Sequence, residues 1–202
     1  MLGLPRTTEI KKIIAKNLIF SKFQMNTQAK DRLDADIKRI TLTNEVSVNT
    51  IAIAEGKQVS AFYAVHVALK RREYDERNIV LLSKLIPQNM LFILDYAGTA
   101  QLAVYRAKLL TSEWMPVEAL AVQLVVLDLD ALWENIIVQV GQIEIADGRT
   151  LDEQIRIDGE RAKLEKRIAQ LEKQAKREKQ PSKRFEMHQQ ILKLKKGTEN
   201  IG

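Results

Sequence analysis

Cysteine is absent from the chain, and histidine occurs only at His66 and His188. These two absences exclude a disulfide framework, thiolate zinc sites, iron–sulfur clusters, cysteine nucleophiles and imidazole-rich metal sites. Glycine is sparse, and neither Gly-x-x-x-x-Gly-Lys nor Gly-x-Gly occurs, so a standard phosphate loop is not expected. Gly-x-Ser-x-Gly and His-Glu-x-x-His are missing as well. Aromatic residues make up only 5%. No apolar run approaches the ~20 residues that a membrane span needs. The opening residues lack the apolar core of a signal peptide, so a soluble cytoplasmic protein is expected. What remains is a 202-residue chain that is 46% apolar and 29% charged, enough to bury a core.

The charge is unevenly placed. Residues 149–202 hold 15 Lys+Arg and 9 Asp+Glu, which leaves 17 of each for residues 1–148. The whole net charge of +6 therefore lies in the last quarter of the chain. Between Lys173 and Lys196 nine bases face only two acids, Glu178 and Glu186. Such asymmetry points to an anionic partner for the tail or, on the plainer reading, to the solvated face of a coiled coil.

Hydrophobic spacing predicts the elements. Ile10, Ile13 and Ile14 recur at helical spacing after Thr7 and Thr8, predicting a first helix to about Asn17. Asn26 or Thr27 should cap a second helix reaching Ile40, with Leu33, Ile37 and Ile40 inside and Asp31, Asp34 and Asp36 on the wet surface. Residues 41–58 are poorly periodic, with a short strand expected at 50–54. Residues 59–70 are apolar on both alternating sets, which suits a strand covered on both faces. Asp75 should cap a helix that Pro87 stops. Residues 90–94 read as a buried strand and residues 101–109 as its hairpin return, making 59–109 a β-α-β-β unit. Residues 117–127 fit either strand or buried helix. Asp128 or Asp130 should cap a helix ending near Gly141.

The tail reads as two helices. Leu151 and Ile155 open the first, and Leu164, Ile168, Leu171 and Ala175 continue it at spacings of four and three, a seam of coiled-coil type for a partner helix. Pro181 breaks it and Ser182 can cap the second arm, whose apolar side is expected at Phe185, His188 and Leu192, with Met187, Ile191 and Leu194 beside them. The expected architecture is thus α/β (α+β): a small mixed sheet with flanking helices over residues 1–148, and a basic antiparallel helical hairpin over 149–202. Lys173, Lys176, Arg177, Lys179, Lys183 and Arg184 gather at its bend as the candidate contact for phosphates or an acidic protein. One catalytic alternative uses Asp95 and the Arg106-Ala107-Lys108 triplet as a degenerate metal-dependent nuclease core. Arg106 stands where that core needs an acid, and a guanidinium repels Mg²⁺. No catalytic, cofactor-binding or metal-binding residue is assigned, and His66 reads as a core or edge histidine.

Several runs carry a resemblance: LPRTTE at 4–9, KLIPQNMLFIL at 84–94, YRAK at 105–108 with Trp114, LDLDALWEN at 127–135, LEKRIAQLEK at 164–173 and REKQP at 177–181. With these the chain resembles a family of uncharacterised bacterial proteins known only as a domain of unknown function. The resemblance implies a setting beside helicases and DNA methyltransferases of restriction-like or phage-defence loci. It therefore implies a larger helicase-like protein partner, while the basic tail itself suggests DNA as a second partner through its phosphates. It supplies no catalytic residues. A purely protein-binding adaptor is the other reading of the same tail.

Overall fold

The computed structural model describes residues 2–124 and 127–199. The chain falls into two compact units, Met1–Ile143 and Glu144–Gly202. The first is a mixed α/β unit built on one sheet, in the order β1-β2-β3-β4-β5-β6 with β7 paired to β5.

The segment expected as a first helix is instead strand β1 (Glu9–Ile14), followed by a short helix α1 (Lys16–Lys22). The cause is a bulge. Lys11 adopts a left-handed φ of 50°, and the register to the next strand skips between Glu9↔Asn44 and Lys12↔Leu42. One extra residue breaks the two-residue alternation, so the isoleucines fall at helical intervals in a strand. Helix α2 (Thr27–Asp36) begins where expected, with the Asn26 side chain accepting from the Ala29 N–H at 2.9 Å. It stops at Asp36 rather than Ile40, and β2 (Ile37–Ser47) follows directly. Leu33, Ile37 and Ile40 are all buried in one core cluster, so their inward direction is as expected although two of them lie on a strand. Two register shifts in β2 again disguise the alternation.

Residues 50–54 form no strand. Thr50 closes a turn on Ser47, and Ala54 makes a single bridge to Asp128. The loop is fastened by Asp130, whose carboxylate accepts from the N–H groups of Lys57 (2.7 Å), Gln58 (3.1 Å) and Val59 (2.8 Å). Desolvation pushes this carboxyl up, but the three donors outweigh it and hold its pKa below the ordinary value. A β-carbon on Gly56 would lie 2.3 Å from Asp130 Oδ1, so this approach requires glycine.

Strand β3 (Ala61–Leu69), helix α3 (Glu76–Leu82), strand β4 (Asn89–Tyr96) and strand β5 (Thr99–Arg106) form the β-α-β-β unit that the sequence predicts. β3 and β4 are parallel, as the intervening helix requires, and β4 and β5 are antiparallel. Ala97 and Gly98 carry φ values of 51° and 83°, the pair of positive values that a twist-matched two-residue hairpin turn demands. Ala107, at φ 58°, reverses the chain into β6 (Lys108–Thr111), and the short β7 is Met115–Pro116. Residues 117–124 are neither strand nor α-helix. They hold one 3-10 turn and a bridge from Ala121 to Leu2, while 125 and 126 lie outside the described residues. Asp128 caps α4 (Leu129–Gly141) by accepting from the Ala131 N–H at 2.8 Å.

The sheet is covered on both faces. Ile19, Leu33, Ile79 and Leu82 of α1 to α3 pack on Ile40, Val65, Val67, Phe92 and Leu94. On the other face α4 buries Leu132, Trp133, Ile136, Ile137 and Val140, and the Trp133 ring lies 5.3 Å from that of Phe62. Each such fully buried side chain contributes roughly 1.5–3 kcal/mol.

Asp36 corrects a further expectation. It is not on the wet surface: its side chain is fully buried. The carboxylate accepts from Arg71 Nε at 2.6 Å, the Asp75 N–H at 2.7 Å and Asn78 Nδ2 at 2.8 Å, with a second contact from Arg71 Nη2. It thereby pins the α2–β2 junction to the loop after β3 and to α3. Asp31 is exposed as expected, and Asp34 is half-exposed, paired with Lys16 at 2.6 Å.

Candidate anion-binding hairpin

The second unit is built from α5 (Leu151–Arg177) and α6 (Pro181–Glu199). A full capping box starts α5: the Thr150 hydroxyl accepts from the Glu153 N–H at 3.3 Å, and Glu153 accepts from the Thr150 N–H at 2.9 Å. Those bonds hold the Glu153 carboxyl below its usual range. Three residues, 178–180, join the arms. Proline stands at the first position of α6, where its missing N–H costs nothing. Ser182 is inside α6 and is not its cap; the Arg184 N–H donates to the Gln180 carbonyl at 3.0 Å.

Ile168 and Leu171 of α5 are buried with Ile191 of α6, and Leu194 packs beside them. Helices that touch along this length through so short a link run antiparallel. The seam Leu164–Ile168–Leu171 thus meets the chain's own second arm at Ile168 and Leu171, while Leu164 is half-buried. Lys195 and Glu172 clamp the arms at 2.9 Å, and this hydrogen bond holds the Glu172 carboxyl below its ordinary value. The expected apolar side of α6 is only partly turned inward. Ile191 and Leu194 face the first arm, whereas Phe185, His188 and Leu192 are exposed.

The cations gather as the sequence predicts. Lys173, Lys176 and Arg177 occupy the last turns of α5, Lys179 the link, and Lys183 and Arg184 the first turn of α6. All six are exposed. None makes an ion pair among the described residues, whereas Arg156 and Lys195, on the same two helices, are paired at 2.9 Å. Lys173 to Arg177 spans about 6 Å of helix rise, so the fields of the three α5 cations overlap within a Debye length of about 8 Å. Lys176 and Arg177 sit favourably at a helix C-terminus, but Lys183 and Arg184 occupy the positive end of α6, where no acid accompanies them. Helix stability alone does not account for that placement.

The alternative catalytic residues do not come together. His66 Nε2 and Asp95 Oδ2 are 2.9 Å apart on adjacent parallel strands. Asp95 is opposite Ala100 on β5, while Lys108 is opposite Arg106, six residues along the same strand. At about 3.3 Å per residue that is roughly 20 Å. Among the described residues no three His, Asp or Glu side chains are grouped to hold a metal ion.

A family model describing a domain of unknown function, DUF4391, matches residues 2–197. The chain belongs to the DUF4391 family. No curated protein and no solved structure matches it. Among the described residues of this DUF4391 chain, no helix is long and apolar enough to cross a membrane. Sequence reasoning about the DUF4391 chain missed Asp36 and the Asp130 cradle. A buried carboxylate beside Arg71 and Asn78 leaves no local signature, because its partners lie 35 to 42 residues away.

Proposed function

We propose that this DUF4391 protein is a non-catalytic, cytoplasmic accessory subunit of a bacterial helicase-associated assembly of phage-defence type. Its basic hairpin attaches that assembly to DNA through phosphates. The observation that carries the reading is the cluster of six exposed, unpaired cations at a bend fixed by two packed helices. A cationic tip whose one exposed aromatic is Phe185 reads charge rather than base sequence. The helicase setting rests on the family resemblance of the runs quoted above. The nuclease alternative loses support because Asp95 on β4 and Lys108 on β6 pair with residues at opposite ends of β5, Ala100 and Arg106. The adaptor alternative has a specific observation in its favour, the exposed apolar residues Phe185 and Leu192.

Fluorescence anisotropy with a labelled random duplex in low salt tests the DNA contact. The native chain should bind with a Kd of about 1 μM or tighter. A variant with all six cations changed to Gln should lose most of that affinity. Absence of binding by the native chain, or unchanged binding by the variant, would rule the reading out.

A further inference from the structure

The hairpin carries more apolar surface than its own packing uses. Ile191 and Leu194 already close the contact with α5. Phe185 and Leu192 are nevertheless 63% and 55% exposed, two helical turns apart on the same arm, with exposed His188 between them. They border an open groove of about 980 Å³ between the arms. Its floor is Ala175 and Ile191, and Lys176, Arg184 and Lys195 are among its polar lining. The acid in that lining, Glu172, is already engaged by Lys195 at 2.9 Å.

We propose that this groove seats an acidic amphipathic helix of a partner protein. The span from Pro181 to Lys195 is about 21 Å of helix, the length of a four-turn guest lying alongside α6. Apolar anchors at i, i+3 or i+4, and i+7 would meet Phe185 and Leu192. The cationic rim selects a guest with carboxylates flanking those anchors. A second copy of this chain is disfavoured by the same rim. Between Lys173 and Lys196 each copy carries nine bases against two acids, so facing grooves would repel. DNA phosphates have no use for apolar walls, and Phe185 offers a single stacking surface where a bound strand needs several. The groove shares Lys176 and Arg184 with the DNA contact, but Lys173, Arg177, Lys179 and Lys183 are not in its lining, so the two can be tested separately.

The test uses the full chain and three fluorescein-labelled helical peptides of about 16 residues. One has leucine anchors flanked by Glu, one the same anchors flanked by Lys, and one the Glu flanks with Ser in place of leucine. The first peptide should bind at least tenfold tighter than either other. The Phe185→Ser, Leu192→Ser double variant should lose at least tenfold in peptide affinity while keeping its helicity and its duplex affinity. Lys179→Gln with Lys183→Gln should weaken duplex binding and leave peptide binding unchanged. As a second probe of the groove, Lys176→Glu with Arg184→Glu should turn the preference toward the Lys-flanked peptide. Equal affinity for all three peptides, or a double variant that binds as well as the native chain, overturns the proposal. So does self-association in sedimentation that Leu192→Ser abolishes, which assigns the groove to a second copy. Competition by a single-stranded oligonucleotide that cross-links to Phe185 overturns it in favour of nucleic acid.

Discussion

Replacing Asp36 with alanine should be among the most damaging single changes in the α/β unit. The substitution removes the shared acceptor of three groups. The Arg71 side chain is about half exposed (55%) and can turn to water. Asn78 is 1% exposed and has no such exit, so its Nδ2 keeps only a long 3.4 Å bond to the Arg32 carbonyl and one of its hydrogens is left unpaired, as is the part-buried Asp75 N–H. Each orphaned buried donor costs about 1–3 kcal/mol. The two together give about 4 kcal/mol, within the range for breaking a buried charged pair. For a chain of this size each kcal/mol lowers Tm by about 2–4 °C, so a fall of roughly 12 °C is expected. Trp114 and Trp133 are the only tryptophans and both lie in the α/β unit. Intrinsic fluorescence during heating therefore follows that unit alone. Asp34→Ala is the matched control: its carboxylate is half exposed and joined to Lys16, and such a pair is worth about 1 kcal/mol or less. If Asp36→Ala melted within about 2 °C of the native protein, or no lower than Asp34→Ala, the reasoning from buried, unpaired donors would be refuted.

Gly56→Ala should destabilise the α/β unit by about 1–3 kcal/mol. Its new methyl would strike the Asp130 carboxylate and backbone, and a thermal melt equal to the native one would contradict this. At high pH, burial pushes the Tyr74 phenol up to about 12, helped by the charge of Glu76. The folded state then keeps a proton that the unfolded chain releases near pH 10, so this contribution is fully present below pH 10 and lost as pH rises toward 12. Urea midpoints measured across that range should decline in the native chain and decline less in Tyr74→Phe; parallel declines would remove Tyr74 as a cause.

Sequence and structure agree best where strands are regular. β3, β4 and β5 keep an unbroken register to one another, and their apolar runs and the Asp95-to-Thr99 turn were legible. β1 and β2 were not, because bulges near Lys11, between Ile37 and Arg39, and between Leu42 and Asn44 convert alternation into helix-like intervals. The tail's two helices and the proline break were legible from the four-three spacing and Pro181. Which face of α6 turns inward was not. Apolar residues line both sides of that helix, and only the position of α5 decides between Leu192 and Leu194. The bend cations were legible because charge needs no partner to be counted. The Asp36 network was not, since it is assembled by tertiary contacts from α2, α3 and the loop after β3.

The attachment role depends on how many phosphates the bend engages, and counterion release counts them directly. Titrating one duplex at several salt concentrations gives the slope of log K against log salt, about −0.9 for each phosphate neutralised. Six cations acting together predict a slope near −5 for the native chain. Changing Lys173, Lys176, Arg177, Lys179, Lys183 and Arg184 to Gln should bring it close to zero. A native slope no steeper than about −1, or one that survives all six substitutions, would contradict the account.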